Sequence, residues 1–313
     1  MTEVDVIGSE FILVDNPPSE IFKQFVHLVS TTEGWAFQEN DYEIWKSCYQ
    51  KHWMFMVQQK ESGRYVASVS LAQSELINGF PLYTVAFFYC LRAYRNRGLG
   101  KILFNKAQSI YGSANCFLFG VGTMWQWYEK RYGFKELNPY FHCTASIQIE
   151  NLIIPKEIDE ADGIKIEDVE YKSITEYDRT ICQMNREKVM NSWLMASGVY
   201  SKMAVDANGN CVGYGAVREV SLNRLSLSPL YADSPKIAVM LLCSILRSFN
   251  FKKFASLSTI YPSINTEIEL VLAPFCEGNV QIKPFCRGQY TQKIVTTSEP
   301  KIFGIRHCAH GYT

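Results

Sequence analysis

The segment Arg95-Asn96-Arg97-Gly98-Leu99-Gly100-Lys101 limits what this chain can fold into more than any other. It follows an almost wholly apolar run from Leu82 to Leu91 and precedes a stretch, Leu99 to Tyr111, whose apolar residues recur at helical spacing. A buried strand therefore turns abruptly into a helix. Glycines at such a turn let the backbone approach a ligand closely, and the helix start offers unpaired N–H groups and the positive end of a dipole. The ligand that suits such a turn is an anion, a phosphate above all.

Charge agrees with that reading. No Asp or Glu occurs from Leu76 to Tyr128, while Arg92, Arg95, Arg97, Lys101 and Lys106 gather around the turn. The patch is local, because the chain carries 31 Lys and Arg against 31 Asp and Glu. No overall basic excess exists to draw it to nucleic acid or to an anionic membrane, and neither partner is expected. Two nucleotide loops are excluded by spacing. A Walker loop would need Gly where Arg95 stands and a hydroxyl where Ile102 stands, and a dinucleotide loop would need Gly in place of Leu103.

The rest of the first half reads as a strand at Phe11 to Val14, helices over Ser19 to Val29 and around Tyr42 to Gln50, and a hairpin of Trp53 to Gln58 with Tyr65 to Leu71. Strands at Leu82 to Leu91 and Cys116 to Val121 follow, and Thr123 with Gln126 forms a capping-box pattern for a helix ending before Gly133. The second half restarts this order. A strand from Ile164 to Val169 leads to a capping box of Ser173 and Glu176 on one helix reaching about Met190, then to a hairpin turning at Asp206-Ala207-Asn208-Gly209. Ser234 and Pro235 supply the start of a helix between strands at Leu225 to Leu227 and Phe254 to Leu257.

At roughly 150 residues per domain, 313 residues suggest two. Ten acidic residues between Glu150 and Asp178 begin with a stretch poor in apolar side chains. We read an N-terminal domain at 1–150, an acidic linker at 151–160 and a C-terminal domain at 160–313. The ten cysteines include no CxxC spacing, the N-terminus lacks a signal-peptide pattern, and no apolar run approaches the roughly 20 residues of a membrane span. A disulfide-free, cytoplasmic protein with no membrane partner is expected.

Arg95, Gly98 and Gly100 match the R/QxxGxG/A pyrophosphate signature, and this chain resembles the GNAT (GCN5-related) N-acetyltransferases on that ground. Downstream, Trp127-Tyr128-Glu129-Lys130-Arg131-Tyr132-Gly133-Phe134 is similar to the Y-E-K-x-G-F end of that family's next helix, with one extra residue before the glycine. The resemblance covers roughly residues 10 to 145. Gly213-Tyr214-Gly215 to Arg218 and Ser228-Pro229-Leu230-Tyr231-Ala232-Asp233 resemble the C-terminal domain of two-domain members; in this sequence Tyr231-Ala232-Asp233-Ser234-Pro235 stands at the phosphate-loop position, with an acid and no glycines.

The resemblance implies an α+β architecture of two tandem GNAT-like domains, each a mixed, mostly antiparallel sheet flanked by helices, with the second degenerate. It implies acetyl-CoA as cofactor and transfer of an acetyl group to an amine, the acceptor partner, by direct attack in a ternary complex. Leu91, Arg92, Arg95, Arg97, Gly98, Leu99, Gly100 and Lys101 would bind coenzyme A, with a main-chain N–H near Leu91 polarising the thioester. Tyr128 is the candidate acid, against a bland reading as one of several packing aromatics. The strand before the turn has no carboxylate, so the base is sought at Glu33 or Asp41 in the loop that covers the acceptor. Trp35 and Trp45 would wall an acceptor pocket; Asp41 equally suits a helix N-cap. His27, His52 and His142 are more ordinary as surface or core residues. The alternative reading is a non-catalytic coenzyme A-binding or protein-interaction module.

Overall fold

The computed structural model describes residues 4–158, 161 and 163–311. Asp159 and Glu160 of the acidic linker, and Asp162 just after it, lie outside the described residues. The first half runs β1 (Val4–Ile7), β2 (Phe11–Asp15), α1 (Ser19–Glu33), α2 (Asp41–Cys48), β3 (Lys51–Gln59), β4 (Tyr65–Glu75), β5 (Pro81–Cys90), α3 (Leu99–Tyr111), β6 (Asn115–Val121), α4 (Met124–Tyr132), β7 (Glu136–Leu137) and β8 (His142–Gln148). The second half runs β9 (Lys165–Glu167), α5 (Tyr171–Ile181), α6 (Glu187–Leu194), β10 (Val199–Val205), β11 (Cys211–Val220), β12 (Arg224–Ala232), α7 (Pro235–Arg247), β13 (Ser256–Pro262), α8 (Ile268–Leu272), β14 (Gln281–Tyr290) and β15 (Ile302–Gly304).

Helices on a mixed sheet are thus repeated twice, as expected, but the two sheets are continuous. Their order is β1-β2-β3-β4-β5-β6-β14-β8-β13-β12-β11-β10-β9. The halves exchange their last strands. β14 of the second half lies against β6 with Tyr290 opposite Phe117, while β8 of the first half lies against β13 with Ala145 opposite Thr259. A swapped strand satisfies each edge and removes two exposed ladders that would otherwise invite pairing with other chains.

Local signals behave unevenly. Ser234 Oγ accepts from Ile237 N–H as an N-cap with Pro235 behind it, and Gly133 ends α4 at φ 74°. The two capping boxes do not form. Gln126 N–H goes to the Thr123 carbonyl rather than its hydroxyl, and α5 is capped by the Glu170 carboxylate, which accepts from Lys172 and Ser173 N–H. The single helix expected to reach Met190 is two, α5 and α6, separated at Cys182. All ten cysteines are free, and among the described residues no helix is long and apolar enough to cross a membrane.

Candidate active site

β5 and β6 run parallel and pair only over Leu82–Thr84 with Asn115–Phe117. Beyond that point β6 turns to β14, and the two strands open into a wedge. A bulge marks the open side: Ser70 faces Ala86 and Ser68 faces Tyr89, so β5 gains a residue there, with Phe87 at φ 50°. Phe87 and Tyr89 share one face of the sheet and Phe88 points to the other. Phe87 packs on Phe22, Trp35 and Phe37, whereas Phe88 stacks on Trp127 at 5.9 Å and meets Phe104 edge-on.

The wedge points at the start of α3. Asn96 and Gly98 are both left-handed, at φ 64° and 80°, so the chain folds back within three residues and Leu99 drops into the core at 2% exposure. A side chain at Gly98 would meet nothing within 4 Å, which leaves its open side free for a ligand. At Gly100 a Cβ would stand 3.0 Å from Phe88, and the small residue lets the helix start sit on the bulged strand. The first-turn N–H groups over Gly98 to Lys101 have no acceptor within the helix, and Arg92, Arg95, Arg97 and Lys101 are exposed around them.

All three of those arginines are partly engaged. Arg95 Nε donates to the Cys90 carbonyl at 2.9 Å, Arg97 pairs with Glu10 at 3.1 Å, and Arg92 and Arg95 both reach Glu33 Oε1 at 3.4 Å. Glu33 ends α1 and also accepts from the Tyr89 hydroxyl at 2.9 Å. Burial opposes its ionisation, yet the hydrogen bonds from Tyr89 and Arg92 and the charges of Arg92 and Arg95 outweigh it, and its carboxyl is held below the usual range. Glu33 therefore ties the end of α1 to the glycine turn.

Other expected residues stand elsewhere. The Leu91 N–H donates to the Val66 carbonyl at 2.9 Å and is not free for a thioester. Asp41 is fully buried, its Oδ1 taken by Arg218 and its Oδ2 by Gln38 N–H. Trp45 is fully buried, and only Trp35 of the two tryptophans is partly exposed. Tyr128 lies in the aromatic layer under the wedge, 6% exposed, near Phe88, Phe104 and Phe134; burial pushes its phenol well above the ordinary value. Gln289 on the exchanged strand holds its helix, donating to the Trp125 and Phe134 carbonyls.

The sequence reading missed the C-terminal segment. After β15 the chain crosses to the first half, where His310 is buried between Ser70 Oγ at 2.8 Å and Thr84 Oγ1 at 2.9 Å, at the closed end of the wedge. No spacing or motif marks it, since its partners lie more than 220 residues away. The second half has its own diverging pair: β12 and β13 run parallel only at Leu225–Ser226 and Leu257–Ser258. There β15 fills the gap, pairing with β12 at Leu230 and Tyr231, and Ile305 N–H donates to the Ile260 carbonyl.

Two halves of the same helix-on-sheet design, one with an open wedge and one closed by its own chain, give this protein the tandem GNAT fold. A GNAT acetyltransferase domain model matches residues 174–255, in the second half. The chain belongs to the family described as protein of unknown function DUF1248, whose model matches residues 9–181. A relative is an uncharacterized protein of Caenorhabditis elegans, 24% identical over an alignment 252 positions long that covers 75% of this chain and 74% of that one. Among solved structures the fold is similar to a putative acetyltransferase from Pyrococcus horikoshii (TM-score 0.72, 14% identity, 97% of each chain). It is also similar to a tandem GNAT protein from the clavulanic acid biosynthesis pathway (TM-score 0.64, 13% identity, 89% of this chain and 97% of that one).

Proposed function

We propose that this protein is an acetyl-CoA-dependent N-acetyltransferase acting on the amine of a small molecule, with its cofactor site in the first half. The observation that carries this reading is the open wedge between β5 and β6 aimed at the left-handed turn at Gly98. Pantetheine is an extended amide chain and would pair with the free edge of β5; the pyrophosphate would take the first-turn N–H groups from Gly98 to Lys101. Arg92, Arg95, Arg97 and Lys101 supply the positive field. In the second half β15 occupies the corresponding gap, which supports one cofactor site per chain and the division into a binding domain and a degenerate one.

Of the two candidate bases, Glu33 is the better placed, because it is ionised at neutral pH, partly exposed and joined to Tyr89 beside the bulge. It would take the amine proton through water. Tyr128, kept protonated by burial, would donate to the leaving thiolate. The attack forms the amide C–N bond as the thioester C–S bond breaks, and coenzyme A leaves as the thiol. Calorimetric titration with acetyl-CoA, followed by a thiol-release screen of amines and lysine peptides, tests the reading. Binding without turnover on any amine would leave a coenzyme A-binding module, and no binding would overturn the site.

A further inference from the structure

Arg218 on β11 and Arg306 in the C-terminal segment are 0% and 3% exposed, and both guanidiniums lie on the ring of Trp193 in α6, at 3.4 and 4.9 Å from its centroid. Arg218 Nη2 donates to Asp41 Oδ1 and Gln38 Oε1, each at 2.7 Å. Arg306 Nη2 donates to the Tyr49 hydroxyl at 2.6 Å and to the His310 carbonyl. The Nε and Nη1 atoms of both arginines have no partner among the described residues. The imidazoles beside them add no compensation: burial holds His307 and His310 neutral. Of the two buried cations only Arg218 has a carboxylate partner, and four nitrogens lack acceptors among the described residues. Buried charge whose hydrogen bonds are half made is costly, and an anion with oxygen acceptors removes both deficits at once.

We propose that Arg218 and Arg306 form a binding site for a small carboxylate at the junction of the two halves. A groove of about 280 Å³ is lined in part by Phe37, Gln38, Glu39 and Glu219. Gln38 lines this groove and accepts from Arg218, so one side chain separates the groove from the guanidinium. The carboxylate belongs either to a free anion or to the amine acceptor itself. The second source rests on the acetyl-transfer reading, and Glu39 on the groove's rim suits the ammonium end of such an acceptor, whereas Glu219 is already paired with Lys253.

The test is thermal unfolding of the full chain, without acetyl-CoA, in sodium acetate, glycine, methylamine hydrochloride or sodium chloride at matched ionic strength. Acetate is expected to raise the midpoint saturably over chloride, by about 2–4 °C. Arg306→Met should abolish that rise, and Asp41→Asn, which removes the competing carboxylate, should lower the half-maximal acetate concentration about threefold or more. A larger rise with glycine than with acetate or methylamine assigns the carboxylate to an amine; equal rises with acetate and glycine assign it to a free anion. Acetate and chloride curves that superimpose in the wild-type chain overturn the site, whether or not Arg306→Met folds. So does an equal acetate effect in wild type and a folded Arg306→Met. Failure of acetyl transfer with every amine would leave the acetate result untouched, so the two readings fail separately.

Discussion

Asp41 and Arg218, 177 residues apart in the chain, meet at 2.7 Å with both side chains fully buried. The pair joins the start of α2 to β11 of the second half, and Gln38 completes it by accepting from the same Arg218 Nη2. A carboxylate so enclosed holds the two halves together, and of the two proposed bases this leaves Glu33 as the one partly open to solvent.

Replacing one member strands the other. Arg218→Met is expected to cost about 3–5 kcal/mol of folding stability, because Asp41 would be left buried without its partner. The double variant Asp41→Leu, Arg218→Met should recover a large part of that loss. Urea unfolding of the two single variants and the double variant measures the coupling; additive losses would mean that the contact has no energetic weight.

Gly98→Asp has room for its side chain, and Asp tolerates the left-handed region better than most residues, so the variant should fold at a cost of about 1–2 kcal/mol. Its carboxylate would face the pyrophosphate. Affinity for acetyl-CoA should fall by about tenfold or more. Unaltered affinity by calorimetry in a folded Gly98→Asp protein would remove the cofactor from this turn.

Tyr128→Phe keeps the ring among Phe88, Phe104 and Phe134 and deletes only the hydroxyl. Turnover should drop by about 10²–10⁴-fold, with acetyl-CoA affinity unchanged within about twofold. Steady-state kinetics beside a binding isotherm separates the two quantities. Normal kcat would return Tyr128 to the ranks of packing aromatics.

Four buried histidines make stability depend on pH. Burial pushes His52 and His142 down to about 3, His307 to about 4 and His310 well below its ordinary value. In the unfolded chain each titrates near about 6.5, so below that pH the unfolded state binds protons that the folded state refuses. Stability is then full above about pH 6.5 and falls as pH drops towards 4 and 3, each histidine contributing up to about 1.4 kcal/mol per pH unit. Urea midpoints at pH 7.5, 6 and 5 should descend in that order; a flat series would mean that the imidazoles reach water when folded.

The glycine turn, α3, the Gly133 stop, the Asp206 to Gly209 hairpin and the Ser234 cap could all be read in advance because each depends on neighbours within a few residues. Capping patterns at Thr123 and Ser173 misled because a box motif requires side-chain geometry that the surrounding chain did not supply; at α5 the nearby Glu170 carboxylate took the same N–H groups. Phe87 carries no mark of its left-handed backbone, which the mismatch between β4 and β5 imposes. β14, with Pro284 and alternating polar residues, makes a weak strand signal until β6 and β8 lie on either side of it.

Local chemistry in the sequence therefore determined that the chain has an anion-seeking strand-to-helix turn, a repeated order of elements and no bulk attraction to nucleic acid or membrane. Tertiary structure alone decided which strand completes each half, that β15 closes the second wedge while the first stays open, and that Arg218, Arg306 and His310 meet near α2. Helix caps and turns are settled by hydrogen bonds spanning a few residues. The choice of strand partners is settled by apolar area and ladder bonds summed over both halves at once, and no single stretch of sequence contains that sum.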